Sequence, residues 1–148
     1  MTLFTPGSSW FQESTSCSVP VGKWTSATIV GPILGAGKSF SFAHPINGPA
    51  ILFAALFQTV TAFVGGASTM LALGTNSSNS SESILANAGV ATNPWGIVGF
   101  YGIEQSQLRS IPVYVSSGTS LGQLYVTKTG SNVNAGSMHV YINYLQLT

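Results

Sequence analysis

The chain has 148 residues, enough for one domain with a sizeable core. Only 5% of them are charged and the net charge is +1, against about 25% charged in ordinary soluble proteins. With no cluster of Lys or Arg to set against phosphates, this composition argues against nucleic-acid binding.

Asp is absent; the acids are Glu13, Glu82 and Glu104, the bases Lys23, Lys38, Arg109 and Lys128. The surface must therefore be made of Ser, Thr, Asn, Gln and Gly, and it repels its neighbours weakly. That suits a protein packed against copies of itself or a partner. A neutral, hydroxyl-rich secreted β-protein has the same composition. The single Cys17 allows no disulfide within the chain. The first twenty residues lack a basic start and an apolar core, so no signal peptide is expected, and Asn76 and Asn79 read as parts of a polar loop rather than glycosylation sites.

In chain order, residues 1–20 read as an N-terminal arm in which Trp10 and Phe11 stand among Ser, Thr, Gly and Pro. Such anchors dock either on the chain's own domain or on a neighbour. The domain proper is residues 21–148. Lys23 to Val30 has strand composition, and Lys38 to Ala43 alternates Phe40 and Phe42 against Ser39 and Ser41. His44-Pro45 and Asn47-Gly48-Pro49 are expected to form a loop.

The longest apolar run follows, Gly48 to Gly66. As a membrane helix it is short against the roughly 20 apolar residues a bilayer needs, and it carries Gln58, Thr59 and Thr61 with no basic cluster nearby. As a long β-strand it fits better, and because both alternate sets are apolar early on, its first half is expected to be covered on both sides. No membrane partner is expected.

Gly65-Gly66 then predicts a turn and Ser68 to Leu73 the return strand of a hairpin. After a polar loop, Asn79 and Glu82 have the spacing of a capping box, and Ile84, Leu85 and Ala88 predict one short helix ending at Gly89. Strands are predicted at Trp95 to Ile103, Ile111 to Val115, Leu121 to Thr127 and Met138 to Leu147, with a loop at Gly130 to Gly136. About eight strands and one short helix argue for an all-β fold, a single-domain β-sandwich of jelly-roll type.

Little in the chain suggests chemistry. Gly35-Ala36-Gly37-Lys38-Ser39 lacks the first Gly of a phosphate-binding loop, since Pro32 stands there, and it leads into an alternating strand rather than a helix. His44 and His139 have no neighbouring acid for a triad, and three dispersed Glu give no clear carboxylate pair. Two isolated His and one Cys make no metal site. The reading is a non-enzymatic protein with no catalytic residues, no cofactor and no metal. What remains is aromatic: Trp10, Trp24 and Trp95 fit a core, an interface or a sugar-binding face, with core or subunit interface favoured, and Trp10, Phe11, Trp24, Trp95, Tyr101 and Tyr114 are the candidate interface residues, because Trp and Tyr carry much of interface anchoring.

Three stretches carry a resemblance. They are Val60-Thr61-Ala62-Phe63 with Gly65-Gly66 and Leu71-Ala72-Leu73-Gly74-Thr75; Ile84-Leu85-Ala86 with Gly89-Val90; and Asn134 to Leu145. From Gly48 onward the chain resembles small virion structural proteins of tailed bacteriophages. It departs from them after Gly74, where Asn and Ser replace expected acids, and residues 1–47 lie outside the match. The resemblance implies a β-sandwich component of a phage particle. The first expectation is a capsid cement or decoration protein, a homo-oligomer (a trimer) seated on the major capsid protein at the head surface. A tail, collar or fibre-associated module gripping glycans on Trp or Tyr is the alternative, and a membrane-active protein using Gly48 to Gly66 is a third.

Overall fold

The computed structural model describes residues 22–76, 84–102 and 113–147. Nine strands are formed there: β1 Lys23–Val30, β2 Gly37–Asn47, β3 Ala50–Gly65, β4 Met70–Gly74, β5 Leu85–Gly89, β6 Gly99–Gly102, β7 Val113–Val115, β8 Ser120–Thr129 and β9 Val133–Gln146. The expectations for the arm, with Trp10 and Phe11, and for Asn79 and Glu82 lie outside the described residues.

All pairings are antiparallel, and one sheet runs in the order β5-β4-β8-β2-β1-β9-β3-β6, with β7 also paired to β3. The sheet is curled. One half holds β1, β9, β3, β6 and β7; the other holds β2, β8, β4 and β5; the two meet where Ala27 of β1 pairs Phe42 of β2. Successive strands keep crossing between halves: β2 to β3, β3 to β4, β7 to β8 and β8 to β9. This is the crossing habit of jelly rolls, and the all-β expectation holds.

The alternation seen in the sequence positions the core. Thr25, Ala27 and Ile29 of β1 and Met138, Val140 and Ile142 of β9 point inward, facing Phe40 and Phe42 of β2, Leu71 and Leu73 of β4, and Leu124 and Val126 of β8. Both halves thus share one apolar cluster, each large side chain contributing about 1.5–3 kcal/mol by leaving water.

β3 does not keep one phase. Ala50 and Leu52 are buried, then Ala55, Phe57, Thr59 and Phe63. Its register with β9 shifts between Leu52 and Ala54 and again between Thr59 and Thr61. The first irregularity inserts a residue that moves the inward set from even to odd positions, and a further shift between Thr61 and Val64 offsets the second, so that Phe63 again points inward.

Six expectations change. The strand predicted from Trp95 begins only at Gly99, as β6, and the first half of β3 is not covered on both sides, since Phe53 and Leu56 are exposed. The predicted helix is β5: Leu85 pairs Leu73, Ala88 pairs Leu71, and the Ile84 amide donates to the Leu73 carbonyl at 3.0 Å. Five residues give a helix too few internal bonds to offset its nucleation cost, whereas the edge of β4 supplies backbone partners at once. The predicted hairpin across Gly65-Gly66 is a crossover, because β4 pairs β5 and β8 and never β3. His44-Pro45 belongs to β2 at an irregularity between Ser41 and Ile46. There the Thr25 hydroxyl donates to the His44 carbonyl at 2.7 Å and accepts from its amide at 3.2 Å, replacing ladder bonds. Finally, β9 begins at Val133, inside the predicted loop.

A candidate docking face

The half made of β6, β3, β9 and β1 has an outer face, and the pairing fixes what stands on it. Across the strands run Trp24, Asn143 and Ala54; Ser26, Tyr141, Leu56 and Gly102; and Thr28, His139, Gln58 and Phe100. Ile51 stands beside Tyr114 of β7. At the β3 irregularities Phe53 and Val60 also point away from the core. Trp24 is 51% exposed, Leu56 43%, Val60 48%, Phe100 73% and Tyr114 60%.

A polar stripe crosses this apolar ground. Thr28 Oγ1 and His139 Nδ1 lie 3.0 Å apart, the Tyr141 hydroxyl donates to Gln58 Oε1 at 3.4 Å, and the His139 and Tyr141 rings are 6.4 Å apart. The stripe pins side-chain orientation without adding charge.

Among the described residues no charged side chain takes an outward register position on this face. All three acids and Arg109 fall outside the described residues. Lys38 and Lys128 occupy inward register positions near strand ends. Lys38 reaches over the Phe40 ring with its ammonium 5.4 Å from the centroid, and the buried Lys128 donates to the Gly130 carbonyl at 3.1 Å. Lys23 takes the same register as Thr25 at the start of β1.

The opposite outer face, on β2, β8, β4 and β5, is more polar: it carries Ser39, Ser41, Gln123, Thr127 and Asn87, with Tyr125 paired to Ser39 and Met70 on β4 as its larger apolar groups. Asn87 Nδ2 donates weakly to Met70 Sδ at 3.8 Å.

The sequence-derived aromatic candidates separate. Trp24 and Tyr114 stand on the apolar face. Trp95 is 0% exposed and belongs to the core of the single chain rather than its surface: its ring meets Phe63 edge-on at 5.3 Å, and its carbonyl accepts the Phe63 amide at 2.9 Å. Thr59 Oγ1 donates to the Pro94 carbonyl, so the loop before β6 is clamped beneath β3. Tyr101 turns inward opposite Phe57, half-buried, with its hydroxyl donating to the Ile97 carbonyl at 2.9 Å. Phe53, Leu56, Val60 and Phe100 were not singled out from the sequence. Their signal was the apolarity of both alternate sets of β3: one side is covered by the core, and the other is open in the single chain.

Among the described residues no group of three His, Cys, Asp or Glu comes together as a metal site, and no helix is long and apolar enough to cross a membrane. Lys38 lies in a strand, not at a helix start, as its alternating neighbours imply.

No family model matches the chain and no curated protein matches it by sequence. Two solved structures share its fold. One is a chain of the cyanophage Pam1 capsid asymmetric unit, with a TM-score of 0.57 and 10% identity over 93% of this chain and 99% of that one. The other is a chain of the capsid of Ralstonia phage GP4, with a TM-score of 0.52 and 13% identity over 90% of this chain and 94% of that one. At such identities the likeness is one of fold, and it runs nearly the full length of all three chains.

Proposed function

We propose that this chain is a non-enzymatic structural protein of a bacteriophage virion, a capsid cement or decoration protein that sits on the major capsid protein as a homo-oligomer, a trimer. The observation that carries this is the full-length likeness in fold to chains found in two phage capsids. The physical chemistry agrees. A small β-domain with an uncharged, aromatic outer face suits repeated packing in a symmetric shell. Residues 1–20, with Trp10 and Phe11, are the segment proposed to reach a neighbour and lock it.

The test is the copy number of this chain relative to the major capsid protein in purified particles, by quantitative mass spectrometry. A ratio near that of the coat is expected. A small fraction would place the chain at the tail or a unique vertex and favour the glycan-binding alternative. Exposed Tyr114 beside the hydroxyls of Ser116, Thr119 and Ser120, around a groove of about 370 Å³, is where a sugar would then be sought. Removing residues 1–20 is expected to weaken particle binding and spare the fold.

A further inference from the structure

We propose that the outer face of β6, β3, β9 and β1 is the contact between copies of this chain. The inference rests on the homo-oligomer part of the reading above and assigns the surface responsible.

The size of the face is the first argument. Trp24, Phe53, Leu56, Val60, Phe100 and Tyr114 are between 43% and 73% exposed. Side chains of this kind open on the order of 500 Å² of apolar surface in all, the upper part of the range of about 300–600 Å² for a monomer's largest patch. A standard interface buries about 800 Å² on each partner. The patch together with the Thr28, Gln58, His139 and Tyr141 stripe approaches that area, with an apolar centre and a polar component.

Charge selects the occupant. A partner rich in Asp, Glu, Lys or Arg would have to strip water from those groups against a face with no counter-charge among the described residues, which is costly. A second copy that meets it through the same face brings no charged side chain from the described residues of that face. Its own exposed apolar surface is equally uncharged, and Lys38 and Lys128 occupy inward register positions. The other outer face exposes Ser39, Ser41 and Gln123, polar side chains that can stay hydrated. Three copies turning their apolar faces toward a common axis would cover them and leave hydroxyl-rich faces outward.

The experiment is sedimentation velocity on the full-length protein and three variants: Val60→Asp and Phe100→Ser on the apolar face, and Ser41→Asp on the other. Far-UV circular dichroism reports folding in each. The parent is expected to be oligomeric at micromolar concentration. Val60→Asp should raise the dissociation constant at least 100-fold, and Phe100→Ser, on an edge strand where folding is least at risk, about 10-fold. Ser41→Asp should match the parent. A monomeric parent overturns the inference, as does a folded Val60→Asp variant that assembles normally. So does one that assembles normally yet no longer binds particles, since the face would then belong to the coat protein. Particles that never bind the parent would sink the virion reading while leaving the oligomer result standing.

Discussion

The two outer faces of this molecule cover one core yet share almost no chemistry. Over β3 and β9 the outward residues are exposed Leu56 and Val60 and half-buried Tyr141 and His139, with Phe100 beside them on β6; over β2 and β8 they are exposed Ser39, Ser41 and Gln123 and half-buried Tyr125. The inward residues do not differ in this way: Phe57, Val140, Phe42 and Leu124 are all buried and apolar. What a strand turns inward is dictated by the fold, and what it turns outward is free to record use. The contrast is the ground on which the proposed contact between copies is assigned to one side of the molecule.

The largest effect should test the shared core. Phe57→Ala, beneath the apolar face, and Leu124→Ala, beneath the polar one, are each expected to lower stability by about 3–5 kcal/mol in urea unfolding, within one cooperative transition. Two separate transitions would show halves that fold independently and would break the comparison.

Next comes Gly136→Ala. Gly136 has φ of 137°, where L residues are strained, and an added Cβ would enter the Phe63 ring. A loss of about 1–3 kcal/mol is expected by the same measurement. An unchanged midpoint would mean that Gly136 is not held tightly against Phe63.

A smaller effect separates the polar side from the apolar one. The Thr127 hydroxyl is buried without a hydrogen-bond partner. Thr127→Val should be neutral or stabilise by up to about 1 kcal/mol, because no bond is lost and an orphan group is removed. On the apolar side Thr28→Val breaks the contact to His139 and should cost about 0.5–1.5 kcal/mol. If both changes have the same sign, the stripe over β9 is not a structural device.

Tyr141→Phe should have the smallest effect. Its bond to Gln58 is long at 3.4 Å, so a change within about 0.5 kcal/mol is expected for a surface position.

Much of the strand set was legible because alternation is local. Phe40 and Phe42 against Ser39 and Ser41, or Met138, Val140 and Ile142 against His139 and Tyr141, announce a face without knowledge of the partner. The pairing was less legible. Gly65-Gly66 looks the same whether the chain folds back on β3 or crosses to β8, since a turn says where the chain bends and not what it meets. Ile84 to Gly89 is too short for a helical period to be told from an edge strand, and only the carbonyl of Leu73 decides the matter. The docking face was hidden by the shifts in β3: with the inward set moving from Leu52 to Ala55, neither alternate set reads as outside along its length. Trp95 could not be assigned for a related reason, because composition marks a Trp as valuable and burial decides for what.

The absence of charged side chains from the described residues of the apolar face carries a thermal consequence. Association through such a surface is driven by release of water from apolar groups, which near room temperature is largely entropic and accompanied by a negative heat-capacity change. Contacts of this kind weaken on cooling and respond little to sodium chloride, but strengthen in sulfate. A shell component built this way would hold more firmly when warm than on ice, whatever the ionic strength around it.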